Sequence, residues 1–314
     1  MRQKEGKMAS RITESDIEEF AIELLEGNGY QYLAGPDIAP DGERAERKSF
    51  EEVLLLDRLT SAVRTINRSV PVDAQDDAIK QIQRFGSQEV IVNNEAFHRM
   101  ITEGIRVQCR RGGVERGDLV WLIDYKNPEN NEFLVVNQYT VIEGNNNKRP
   151  DIVLFVNGIP LVVMELKNPA DEQATVRSAF NQIQTYKQTI PGIFTYNGFI
   201  VISDGLEAKA GSISSGYSHF MAWKSIDGTK DESRLVSQLE TLIRGMLNKK
   251  TLLDLIHHFI VFEKSKREDK ETGIVSIQTV KKMAYYHQYF AVNKAVESTL
   301  RASGYAAVKE AGNV

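Results

Sequence analysis

The chain has 314 residues, 41% of them hydrophobic and 26% charged, with a formal net charge of −4. These values exclude a low-complexity or strongly basic protein and leave enough apolar material for one large domain or two smaller ones. The single cysteine, Cys109, rules out an internal disulfide and a Cys-cluster zinc site; no apolar run is long enough to span a membrane, and the polar start MRQKEGKMAS has no signal-peptide core. A reducing, cytoplasmic setting is expected.

Residues 1–12 read as a polar leader. Thr13 to Glu26 reads as a helix, capped by Thr13 or Ser15, with Ile17, Phe20, Ala21, Leu24 and Leu25 forming an apolar stripe and Gly27 and Gly29 ending it. Residues 49–67, 72–84 and 94–103 read as further helices, and 105–109 and 119–123 as short strands around the basic turn RRGGVERG. Much of this stretch, 36–120, reads as an inserted, largely helical region. The β-branched run FLVVNQYTVI (133–142) predicts a strand, and GNNNKRP (144–150) a loop. Strands follow at 151–156 and 159–167, joined by an Asn157-Gly158 turn. Residues 172–188 predict a helix with Val176, Ala179, Phe180 and Ile183 on one face, and 199–205 a further strand. Residues 232–259 read as mostly helical, 264–272 as a charged linker, and KKMAYYHQYFAVNKAVESTL within 275–314 as a helical run. Helix, insert, three strands, helix, strand predicts an α/β fold with an antiparallel meander and a crossover. The local basic clusters, among them Lys148 with Arg149, read as solvated loop or helix ends.

The second hairpin strand carries Glu165 and Lys167, two apart and so on one face, amid Val162, Val163, Met164 and Leu166. A buried carboxylate beside a buried ammonium is expensive unless paired, hydrogen-bonded or bound to a metal. An ideal two-residue hairpin sets Asp151 opposite Met164, whereas a bulge or bend near Pro150 or Pro160 would re-aim it toward Glu165. Two carboxylates converging with a lysine suit a hard divalent cation and phosphodiester hydrolysis. A strand-edge ion pair is the simpler alternative.

Pro150-Asp151 and Glu165-Leu166-Lys167 together resemble the PD-(D/E)xK nuclease motif, and the element order resembles its restriction-endonuclease-like αβββαβ core with a mixed sheet. Gln182 and Tyr186, a Q-x₃-Y pair following E-x-K-N-P, look like the nuclease domain of the R (restriction and motor) subunit of type I restriction enzymes. Glu18, with Glu19 as runner-up, resembles the extra acidic site on the first helix. YYHQYFAVNKAVE (285–297) looks like the entry to a superfamily-2 helicase motor, with no G-x₄-G-K-[ST] loop anywhere in the chain. The resemblance implies a nuclease domain over 13–260, then a linker and the start of a motor over 261–314. It implies Asp151, Glu165 and Glu18 as Mg²⁺ ligands, Lys167 assisting catalysis, Gln182 and Tyr186 supporting the phosphate or the lysine, and Gln288 contacting the adenine of ATP in an intact motor. It further implies cleavage of unmodified double-stranded DNA after ATP-driven translocation, with methyltransferase and specificity subunits as partners. A DNA-repair or recombination nuclease and a non-catalytic DNA-docking or assembly module are the alternatives.

Overall fold

A computed structural model describes residues 13–111, 114–168, 175–233, 235–268 and 275–304. The polar leader at 1–12 and the expected helix start at 172–174 lie outside the described residues. Helix α1 (Glu14–Gly27) is capped as its sequence predicts: the Asp16 N–H donates to Thr13 Oγ1 at 3.2 Å and the Thr13 N–H donates to the Asp16 carboxylate at 2.6 Å. Strand β1 (Gln31–Ala34) follows, then helices α2 (Leu56–Ile66), α3 (Val72–Gln81) and α4 (Val90–Glu103) and the hairpin β2 (Ile105–Arg111) and β3 (Val114–Val120). The central segment comprises β4 (Phe133–Asn137), β5 (Val141–Glu143), β6 (Asn146–Lys148), β7 (Ile152–Val156) and β8 (Ile159–Leu166). After it come α5 (Val176–Thr189), α6 (Gly192–Thr195), β9 (Phe199–Ser203) and β10 (Ala208–Gly211). The remainder is α7 (Gln238–Met246), α8 (Lys249–His258), the hairpin β11 (Ile260–Glu268) and β12 (Val275–Met283), and α9 (Tyr286–Ala302).

The main sheet has six strands in the order β1-β4-β7-β8-β9-β10. β4, β7 and β8 form the expected antiparallel meander, while β1 on β4 and β9 on β8 are parallel. This is a mixed α/β sheet, consistent with a restriction-endonuclease-like core. Every residue of β7 and β8 is buried, as expected for central strands covered on both faces, and α1 and α5 both pack against β8. Among the described residues no helix is long and apolar enough to cross a membrane.

Several boundaries depart from the sequence reading for physical reasons. The run 133–142 is broken at Gln138, whose φ of 52° turns the chain; its N–H donates to the Asp151 carbonyl at 2.9 Å. Helix α2 starts at Leu56 rather than near 49 because the preceding backbone is used elsewhere: the Phe50 carbonyl accepts from Ile142 at 3.1 Å and the Leu55 N–H donates to Gly158 at 2.9 Å. Short edge strands β1 and β10 lack enough alternation to be visible in sequence. The expected charged linker is corrected most strongly: Lys264 to Glu268 continue β11, and Lys281 to Met283 end β12 instead of starting a helix. Residues 269–274 lie outside the described residues.

The base of this ribbon is clamped to the core. The Lys281 ammonium, fully buried, donates to Asn94 Oδ1 at 2.9 Å and to the Asn197 carbonyl at 2.7 Å, while its own carbonyl accepts from Ser212 and Ser214 hydroxyls at 2.6 and 2.8 Å.

The β7–β8 turn is a two-residue connection with φ values of 52° at Asn157 and 77° at Gly158, the combination that a type I′ hairpin requires. Asn157 accepts from the Glu132 N–H at 2.8 Å and donates from Nδ2 to Leu122 O and Asn131 Oδ1, each at 2.8 Å. A Cβ on Gly158 would meet Leu55 O at 2.4 Å, whereas one on Gly144, φ +58°, would meet nothing within 4 Å. Gly158→Ala is therefore expected to destabilise the chain by about 2–4 kcal/mol, and Gly144→Ala by only about 1 kcal/mol, in urea unfolding. Equal losses would show that the close approach at Leu55 does not constrain the turn.

Candidate active site

The hairpin starts in the register that sets Val156 opposite Ile159 and Phe155 opposite Pro160, but Leu154 then faces Val162. Leu161 is the extra residue, a β-bulge beside Pro160. Beyond it Ile152 faces Met164, so the same register carried one residue further sets Asp151 across from Glu165. Of the two registers that the sequence leaves open, the bulged one is present, and it brings the two carboxylates to one end of the hairpin.

The Leu166 N–H donates to Asp151 Oδ2 at 2.7 Å. Lys167 lies just past β8, where its N–H donates to the Ser203 carbonyl at 2.9 Å and extends the ladder to β9. Its ammonium donates to Glu165 Oε1 at 2.6 Å and to the Leu166 carbonyl at 3.0 Å, and stands 3.6 Å from Glu14 Oε1. Glu165 is fully buried; its second oxygen, Oε2, has no partner at ordinary hydrogen-bond geometry, and the Tyr186 hydroxyl is the neighbouring polar group that favours its charged form. Oε2 is an unsatisfied acceptor in a low-dielectric setting, a costly state unless a cation or proton occupies it.

Helix α1 contributes two more carboxylates. Glu18 is buried and accepts from Gln138 Nε2 at 2.7 Å, while Glu19 is exposed. Glu14, Glu18 and Asp151 each offer an oxygen, all within 4.8 Å of one another, a grouping able to hold a metal ion. Glu165 is outside that triplet. Glu14 is the residue that sequence reasoning missed; its i, i+4 relation to Glu18 places both on one helix face and was available as a pointer. From α5, Gln182 Nε2 donates to the Tyr186 hydroxyl at 2.8 Å, and that hydroxyl donates to the Arg149 carbonyl at 3.5 Å. Tyr186 is buried and Gln182 exposed, so the pair spans the edge of the site. Gln288 is remote from these carboxylates in its contacts: its Oε1 accepts from the Tyr285 N–H at 2.9 Å, and it lines a cavity of about 570 Å³ with Ser214, His219 and Tyr285.

Burial dominates the electrostatics. It pushes Asp151 up to about 7, against the opposing Leu166 N–H and Lys167 charge. Burial and then the Asp151 charge push Glu165 up to about 8, against Lys167. Burial lowers the Lys167 pKa, but Glu165, Asp151 and Glu14 together outweigh it and the net shift is upward. Burial raises Tyr186 well above the ordinary phenol range, so it remains a neutral donor. Residues that bind a cation through these carboxylates would release protons on doing so.

The sign of the resulting stability change is opposite to that of ordinary salt-bridged carboxylates. Asp151 and Glu165 hold their protons in the folded chain to about 7 and about 8, but lose them near pH 4 when unfolded. The folded state binds more protons across that window, so stability without divalent cations falls as pH rises through it. Urea midpoints between pH 5 and 9 should decline in the wild type and decline less in Glu165→Gln. Identical slopes would show that Glu165 does not titrate abnormally.

The family described as the type I restriction enzyme R protein N terminus matches residues 11–219. The HindI endonuclease subunit of a type I restriction enzyme from Haemophilus influenzae is 36% identical over 295 residues, covering 93% of this chain and 27% of that relative. A Methanocaldococcus jannaschii chain carrying the name type I restriction enzyme MjaIXP endonuclease subunit is 29% identical over 98% of this chain and 30% of its own length. The EcoprrI endonuclease subunit from Escherichia coli is 24% identical over 81% of this chain and 75% of its own length. The chain thus spans under a third of the first two relatives. On the family match across most of its length, together with this identity, the chain belongs to the type I restriction enzyme R protein N-terminus family.

Proposed function

We propose that this chain is the Mg²⁺-dependent nuclease module of a type I restriction enzyme, hydrolysing phosphodiester bonds of double-stranded DNA. The observation that carries the reading is the buried, unpartnered Oε2 of Glu165 at the end of the hairpin that also delivers Asp151. An oxygen-only donor set of Asp151 and Glu165, extended by Glu18 and Glu14, suits a hard cation. Such an ion, when bound, polarises a phosphoryl oxygen and lowers the pKa of a coordinated water.

The chain's own groups do the rest. Lys167 is held at Glu165 and Glu14 and stays charged, ready to stabilise the negative charge that grows on the phosphate. Tyr186, which accepts from Gln182, sets a neutral phenol against the Glu165 carboxylate at the edge of the site. The acidic helix α1 supplies Glu18, with Gln138 holding its carboxylate in place.

In the whole protein the reading extends to cleavage of unmodified DNA after ATP-driven translocation by a helicase-like motor, in a cytoplasmic complex with methyltransferase and specificity subunits. Gln288, near the start of α9, is then the adenine-contacting glutamine of that motor. The length of the relatives beyond the matched region favours this over a stand-alone repair nuclease.

Lys167→Ala and Glu165→Gln should each lower double-strand cleavage by the assembled enzyme by on the order of 10²–10³ while ATP hydrolysis continues. Wild-type-like cleavage by either variant would overturn the catalytic assignment. The isolated chain, with Mg²⁺ and plasmid, should give at most slow, non-specific nicking. Efficient cutting at a defined sequence, absent in Glu165→Gln, would instead identify an autonomous nuclease.

A further inference from the structure

A cleft of about 680 Å³ runs beside the carboxylates, and one wall of it is acidic: α1 lines it with Glu14, Glu18, Glu19, Glu23 and Glu26. Where no cation covers those carboxylates, that wall repels a nucleic-acid backbone. The one cationic residue lining this cleft is Arg149. It is exposed, and among the described residues no carboxylate pairs with it or with the half-buried Lys148 before it.

The backbone that leads to these cations is anchored. β5 and β6 form a small hairpin with Glu143 opposite Asn146, and the two-residue turn between them begins with Gly144 at φ +58°, the pattern of a type II′ turn. Its base is fixed by the Ile142 N–H on the Phe50 carbonyl at 3.1 Å and by Glu143 Oε2, which accepts from the Gly192 N–H at 2.8 Å. That second contact also occupies the hairpin's own carboxylate. The tip, Gly144 to Asn147, is exposed and bears three consecutive asparagines. The Arg149 carbonyl lies 3.5 Å from the Tyr186 hydroxyl, and the buried Pro150 leads directly to Asp151. Arg149 and Asp151 are two residues apart, so their Cα atoms are within about 7 Å.

We propose that Arg149 and Lys148, with the Asn147 amide, form a clamp for the sugar–phosphate backbone of duplex DNA beside the bond presented to Asp151 and Glu165. The inference rests on the nuclease reading of the site. It adds an unassigned contact surface and sets the side of the cleft on which the strand runs. Cations and amides at this position hold phosphates and orient the duplex; they read no sequence. The clamp also explains how a chain with net charge −4 keeps a local foothold for a polyanion.

The test is fluorescence anisotropy of the full chain with a labelled duplex of mixed sequence, in EDTA and again with Ca²⁺, across a salt series. Arg149→Ala and Lys148→Ala should each raise Kd roughly 3- to 10-fold, equally for unrelated duplex sequences. Each should reduce the slope of log K against log salt by about one. Lys266→Ala, which removes an exposed cation from the β11–β12 ribbon, should leave both quantities unchanged. Failure of the wild type to bind duplex at low salt would overturn the proposal. So would an unchanged salt slope in the Arg149→Ala, Lys148→Ala double variant, or equal weakening by Lys266→Ala. Glu165→Gln, tested for cutting in the assembled enzyme and for binding in the chain, separates this from the nuclease reading: loss of cutting with binding retained supports both, and retained cutting sinks the catalytic reading while the anisotropy result still decides the clamp.

Discussion

Leu161 has no partner on β7, and the arrangement of charge at the hairpin's end depends on that. Without the bulge, strand alternation would set Asp151 across from Met164. With it, Asp151 and Glu165 share a position, and both side chains leave the sheet where β8 ends and Lys167 begins. The bulge carbonyl is not left unpaired: it accepts from the Gly198 N–H at 2.7 Å and from Asn197 Nδ2 at 3.3 Å. A one-residue irregularity in a central strand is normally costly because every side chain beyond it changes face. Here the turn before it is pinned by Asn157 and Gly158, and the strand after it is pinned by β9, so the shift is confined to the carboxylate end.

The price of this placement is electrostatic. Two carboxylates are withdrawn from water, with one ammonium and one backbone N–H to offset them, and Glu165 retains a bare oxygen. Replacing a buried ionic cluster of this kind by well-packed apolar side chains is often neutral or stabilising. Carboxylates raised by burial beside a specific charge partner, as here, cluster at functional sites. The surrounding structure bears the cost through an extensive apolar core, with β7 and β8 wholly buried.

Much of this was legible in the sequence because the relevant cues are local. Thr13 with Asp16, Asn157-Gly158, and the E-x-K spacing each carry their own geometry. The two possible registers of Asp151 were also legible, but the choice between them was not, since it depends on where Leu161 finds partners outside its own hairpin. Glu14 escaped because charged residues on a first helix turn are usually solvated. The β11–β12 ribbon escaped for a related reason: KSKRE alternates no apolar residues, and the residues that pack against the core, Phe262 and Met283, lie at the ribbon's base. Lys281 defeated composition altogether, since a lysine fully buried on amides and carbonyls reads as surface in any periodicity.

That lysine joins two distant parts of the molecule. Lys281 Nζ donates to the Asn197 carbonyl at 2.7 Å, and Asn197 Nδ2 donates in turn to the carbonyl of Leu161 at 3.3 Å. Helix α9 begins three residues after Met283, the last residue of β12. Asn197 is thus a shared mooring: its carbonyl holds the base of the β11–β12 ribbon through Lys281 and its amide caps the bulge carbonyl, so the ribbon and the carboxylate end of the hairpin are tied to one residue.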